Sequence, residues 1–286
     1  MKTRIISAVI ALPIFLFILL FAPLYILAFT ISIICSLMAY ELLLAILPVK
    51  GNIRLFIYTV ISAFIVPVGS YFNISSFLFY FTLLTLMILV FIEAIMRYHT
   101  ERQLPMMFIL GALFGGLMIP YLLATLLNLR LMEHGKLLVL IPVICAFATD
   151  AGAYFTGVLL GKNKIFPRVS PNKTIEGCIG GVVIGTLFLM LYGVAIINLT
   201  SITYVNFMAL LIYGMIGSVI CQIGDLTFSL IKREFKVKDF GQLLPGHGGM
   251  LDRFDSMVFT APAMYLLVMT LPMFQEIFIF EVFHVY

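Results

Sequence analysis

The sequence describes an all-α polytopic integral membrane protein with about nine transmembrane helices and a cytoplasmic N-terminus. Three observations carry that reading. Hydrophobic residues make up 63% of the 286, and charged residues only 10%, against roughly 25% charged in a soluble domain. The apolar residues gather in runs of about 20, the number needed to cross roughly 30 Å of hydrocarbon. The runs lack the period-two alternation of barrel strands, and irregular backbone is excluded from lipid contact, so helices remain.

The runs fall at 5–21, 24–47, 53–71, 75–96, 104–128, 137–160, 175–199, 203–230 and 253–275. The first follows Lys2 and Arg4, as a signal peptide would. No small-residue cleavage site comes after it and a second run begins at once, so it reads as an uncleaved membrane helix. All 17 basic residues lie between or beside the runs. With the N-terminus inside, every one except Arg130 and Lys136 is cytoplasmic. The last two cytoplasmic loops exceed what ordinary orientation bias requires: one holds Lys162, Lys164, Arg168 and Lys173, the other Lys232, Arg233, Lys236, Lys238 and Arg253.

Two regions differ in character. Residues 1–135 form a five-span bundle with few internal polar residues, expected to act as scaffold and to make lipid or oligomer contacts. Glu41 and Glu93 stand near cytoplasmic ends, where side chains snorkel, and read as structural. "GALFGG" (Gly111 to Gly116) and the series Gly177, Gly181, Gly185 put small residues on one helix face, for packing within or between subunits. Cys35, Cys145, Cys178 and Cys221 lie singly in separate runs and imply neither a disulfide framework nor a zinc site.

Residues 136–286 form a four-span region expected to hold a catalytic, cytoplasm-facing polar cleft. All five aspartates of the chain lie here: Asp150, Asp225, Asp239, Asp252 and Asp255. Asp150 and Asp225 fall inside apolar runs, where an unpaired carboxylate costs a few kcal/mol or more, so function is the default reading. Asp225, Ser229 and Lys232 follow i, i+4, i+7 spacing and share one helical stripe. Asp252 and Asp255, three apart, share a face if the last helix has begun. Pro245, Gly246, Gly248 and Gly249 make the turn before them.

A helix N-terminus favours an anion, yet this one also carries carboxylates. Carboxylate and phosphate tolerate one another when a divalent cation lies between them. Mg²⁺ suits such oxygen donors, binding one or two carboxylates plus substrate phosphates. The loop "GKNKIFPRVSPNKTIEG" adds Ser170, Asn172, Lys173 and Thr174 as donors to phosphate. "GVLLGKNK" within the same region is not a P-loop. It has one residue too few between its glycines, Asn163 where Ser or Thr is required, and an apolar helix before it. His247 reads as a base, a phosphate donor or a turn residue, and Arg253 as a phosphate ligand or a bridge between carboxylates.

Ser229 to Asp255 reads S-x-x-K-R-x4-K-D-x-G-x-x-L-P-x-H-G-G-x-x-D-R-x-D. This resembles the signature of the phosphatidate cytidylyltransferases, or CDP-diacylglycerol synthases, with every fixed position filled. Thr149 to Gly177 looks like the family's other polar block. The first half agrees only in being a bundle of apolar spans. The resemblance implies transfer of CMP from CTP to phosphatidic acid, with release of pyrophosphate. It implies Mg²⁺, with or without a second monovalent or divalent cation. It further implies membrane lipids as surroundings, a bacterial inner-membrane location with the site facing the cytoplasm, and a protein that is often a homodimer, with no nucleic acid as partner.

The residues then expected at the site are Asp225, Asp252, Asp255 and Asp150 on the metal. Lys173, Lys232, Arg233 and Lys238 would hold phosphates, helped by Ser170, Asn172, Ser229, His247 and Arg253. Two other readings compete: a CTP-dependent kinase of a polyprenol or similar lipid, and a transporter of an anionic solute. The full pattern argues against the first. Polar residues crowded into one half, without a repeat, argue against the second.

Overall fold

The computed structural model describes residues 13–72, 74–98, 100, 103–241 and 248–274. Its helices, in chain order, are α1 (13–21), α2 (Leu24–Ile46), α3 (Ile53–Tyr71), α4 (Ser75–Arg97), α5 (Met106–Leu131), α6 (Gly135–Leu160), α7 (Ile175–Leu199), α8 (Phe207–Glu234) and α9 (Leu251–Thr270). Among the described residues, seven helices, α2 to α8, are long and apolar enough to cross a membrane. The count of nine is therefore approximate. The first expected run lies partly outside the described residues. The last helix opens on Asp252, Arg253 and Asp255, which dilute its apolar character.

Local chemistry sets several boundaries. Pro23 and Pro105 stand just before α2 and α5, where a missing N–H costs nothing. Thr174 Oγ1 accepts from Gly177 N (3.1 Å) to cap α7, and Asn206 Oδ1 accepts from Ala209 N (3.1 Å) to cap α8. The residues before Asn206 are not helical, so α8 starts later than its apolar run. A π-helical turn, Phe114–Met118, interrupts α5 at Gly115 and Gly116.

Both glycine series pack inside the chain. A Cβ on Gly177 would lie 2.9 Å from Ala153 O, and one on Gly181 3.0 Å from Thr149 O, so α7 rests on the backbone of α6. Gly115 and Gly116 likewise face Ala39 and Thr59 on α2 and α3. One apolar core runs across both halves, from Leu27 and Met38 through Leu126 to Tyr213 and Met264; a second, around Leu43, Phe56, Leu86 and Leu117, stays in the first.

Glu41 and Glu93 do not snorkel. They are 4% and 6% exposed. Each has found partners inside the protein instead of water. Glu93 is ion-paired with Arg97 and lies 3.7 Å from Arg54, while Glu41 bonds to the start of α9.

Candidate functional site

The polar residues of the second half converge where α6 and α8 end, α7 and α9 begin, and the 161–174 loop crosses between. That loop is tied down locally. Lys164 and Thr174 form an antiparallel bridge, and the Glu176 carboxylate accepts from the backbone N–H groups of Lys162 (3.1 Å) and Asn163 (3.2 Å). Arg233 Nε donates to Val169 O (3.1 Å), fastening the loop to the end of α8. Thus held, the loop delivers Lys173 to α8, where its Nζ meets Asp225 Oδ2 at 2.5 Å and Gln222 O at 3.4 Å.

Asp225 is half-buried, its side chain 30% exposed. Ser229 Oγ stands 3.5 Å from Asp225 Oδ1, one turn along the same stripe. Lys232, a further turn on, pairs with Asp252 Oδ1 at 2.9 Å and lies over the Phe240 ring, 5.5 Å from its centroid. Asp252 is enclosed, its side chain 3% exposed. Its Oδ2 accepts from Phe240 N and Gly249 N, both at 2.9 Å. Gly248 adopts φ +79°, in the left-handed region, which lets the chain turn tightly against Asp252.

Gly224 allows α9 to approach α8. A Cβ there would lie 3.2 Å from Asp255 O and from Ser256 Cα. Asp255 Oδ1 accepts from Ser256 N (2.7 Å), and its charge is felt together with those of Asp225, Asp150 and Lys232. Asp150 is exposed on α6, with Oδ1 3.9 Å from Cys221 Sγ and in electrostatic reach of Asp225 and Lys173.

The structure thus gathers Lys173, Asp225, Ser229, Lys232, Asp252, Asp255 and Asp150. Asn172 and Lys238 are exposed, Ser170 is half-buried in the loop, and Arg253 is exposed on the first turn of α9. His247 lies outside the described residues. Glu41, read from sequence as structural, touches the same turn from α2. A carboxylate inside an apolar run was the available signal, but its partners lie too far along the chain for any local pattern to name them. A recess of about 710 Å³ lined by Arg54, Glu93 and Arg97 sits apart, its charges already paired with one another.

Among the described residues, Asp225 and Asp252 are ion-paired with Lys173 and Lys232, and Asp150 and Asp255 lie within electrostatic reach of them. Carboxylates gathered in this way suit a cation. Among the described residues no three Asp, Glu, His or Cys side chains close into a metal cage. Oxygen donors in this number fit a hard divalent ion that completes its shell with water and substrate phosphates.

Comparison with known proteins matches the cytidylyltransferase family across residues 2–271. A phosphatidate cytidylyltransferase of Bacillus subtilis (strain 168) is 41% identical over 136 residues, covering 48% of this chain and 49% of its own length. Those of Staphylococcus haemolyticus (strain JCSC1435) and Thermotoga maritima are 44% and 37% identical over 131 and 134 residues, covering 46% and 47% of this chain. They are themselves covered to 48% and 50%, so the chain spans about half the length of the curated relatives it matches. With the family match running through every described helix, the chain belongs to the cytidylyltransferase family.

Proposed function

We propose that this protein is a phosphatidate cytidylyltransferase, transferring CMP from CTP to phosphatidic acid to form CDP-diacylglycerol and pyrophosphate in phospholipid biosynthesis. One observation carries the reading: a carboxylate-rich group with two seated lysines, at the ends of membrane helices, in a chain of this family. The relatives named above carry the same activity in their names.

A phosphate oxygen of phosphatidate attacks the α-phosphorus of CTP. The new P–O bond forms as the α–β bond breaks, and pyrophosphate leaves with the electron pair. Phosphatidate is already an anionic nucleophile, so no protein nucleophile is needed. The protein's task is positioning and charge stabilisation. Lys173 and Lys232 are held at the site by Asp225 and Asp252, and their ammonium groups would meet phosphate oxygens there. Arg233 and Lys238 add positive charge beside them, with Asn172, Ser170 and Arg253 as further donors.

Asp225, with Asp150 and Asp255 near it, would hold Mg²⁺; Asp252 would join only by loosening its contact with Lys232. When bound, the ion would supply neutralisation of the charge on the phosphates. The site faces the cytoplasm of a bacterial inner membrane, and the protein works as a homodimer.

Purified protein in phosphatidate vesicles, given labelled CTP and Mg²⁺, is expected to yield CDP-lipid and pyrophosphate. Release of CDP with a phosphorylated lipid would instead identify a kinase. Nucleotide or phosphate flux without product would identify a transporter.

A further inference from the structure

We infer that Glu41 is a positioning residue of the site: from the first half of the chain, its carboxylate caps α9 and holds in place the turn that presents Asp252 and Asp255. α9 has no side-chain cap of its own. Its first amides would be orphaned in a buried place, at a cost of about 1–3 kcal/mol for each unsatisfied group. Glu41 takes two of them. Oε1 accepts from Met250 N at 2.9 Å and Oε2 from Leu251 N at 2.8 Å, across 209 and 210 residues of sequence. Both oxygens act as acceptors, as in an ionised carboxylate, and the helix N-terminus favours that charge.

The turn is shaped around this carboxylate. A Cβ on Gly249 or on Gly241 would collide with the Glu41 carboxylate, so glycines enclose it on two sides. Neither glycine has a positive φ, so backbone conformation does not demand them; space does. The same turn is gripped from the other side by Asp252, which accepts from Phe240 N and Gly249 N while pairing with Lys232. Two carboxylates thus fix consecutive amides, Gly249 through Asp252 and Met250 and Leu251 through Glu41. Release of Glu41 frees the start of α9, and with it the placement of Asp252 and Asp255 relative to Asp225. The bonds from Glu41 run to backbone amides of Met250 and Leu251, so its effect is exerted through that placement.

The activity arm of the test rests on the function proposed above; a second arm does not. Glu41→Gln keeps the size of the side chain but offers an N–H₂ where an acceptor is needed. In the full chain reconstituted in vesicles, kcat is expected to fall about 10- to 100-fold, the usual scale for misplacement by about 1 Å. KM for CTP and phosphatidate is expected to stay within about threefold, and Glu41→Asp to recover part of kcat. Independently of any activity, hydrogen exchange should quicken at Met250 and Leu251 and not along α3 or α7. Wild-type kcat with unchanged exchange in Glu41→Gln overturns the inference. So does exchange raised throughout the helices, which marks a general packing role. If Glu41→Gln does not insert, Gly241→Ala is the second variant, since it displaces the carboxylate while keeping it. The same local exchange is expected there, and wild-type protection at Met250 and Leu251 overturns the inference. If the wild-type protein forms no CDP-lipid while the exchange result holds, the proposed function fails and the cap stands.

Discussion

Removing the ammonium of Lys232 leaves Asp252, with its side chain 3% exposed, without its cation. A buried charge stripped of its partner costs about 3–5 kcal/mol. Lys232→Met should therefore lower the thermal unfolding temperature clearly, and adding Asp252→Asn should recover much of the loss. A melting series of the two single variants and the double variant in detergent reads this directly. Asp225 behaves differently because it is only half-buried. Asp225→Asn should reduce CDP-lipid formation by about 10²-fold or more while the yield of membrane-inserted protein stays near wild type. The carboxylates were legible in the sequence because charge inside an apolar run stands out. Their partners were not. The i, i+4, i+7 spacing put Asp225, Ser229 and Lys232 on one stripe, yet Lys232 turns away to Asp252, and Asp225 draws Lys173 from a different loop. Which cation meets which anion depends on tertiary approach, and periodicity carries no such information.

Among the elements, α6, α7 and α8 approach one another closely at Gly185. Gly185 faces Ser218 and Thr149, whose hydroxyls bond to one another at 2.8 Å. A methyl group at that position would enter both hydroxyl oxygens' space. Gly185→Ala is expected to destabilise the protein by about 1–3 kcal/mol, seen as a lower melting temperature. Helix positions were readable because the bilayer imposes a length and a composition on each one. The run 53–71 agrees with α3, Ile53–Tyr71, and the run 175–199 with α7, Ile175–Leu199. The π-turn in α5 and the late start of α8 were not readable, since both answer to neighbouring helices and not to hydropathy.

For the whole molecule, the basic loops and the carboxylate group share one end of the bundle, and the distribution of Lys and Arg predicts that this end faces the cytoplasm. A single cysteine placed at Lys164, in a background lacking the native cysteines, should be modified by a membrane-impermeant thiol reagent only in opened cells. One placed at Lys136 should react in intact spheroplasts. Reversal of the two would turn the protein over and place the site outside. The division of the chain near residue 135 follows its composition, while the core does not respect that line: Met38, Leu126 and Tyr213 belong to one cluster.

The bond from Glu41 to the start of α9 also has a bearing on synthesis. A chain made from its N-terminus carries Glu41 into the membrane boundary long before its two amide donors, 209 and 210 residues downstream, have been translated. Until residue 251 has been made, that carboxylate lacks the two backbone donors it has in the folded protein. A nascent or truncated chain lacking α9 therefore cannot close this link. The start of α9 is fastened late, by a clasp that closes only when both ends of the strap are present.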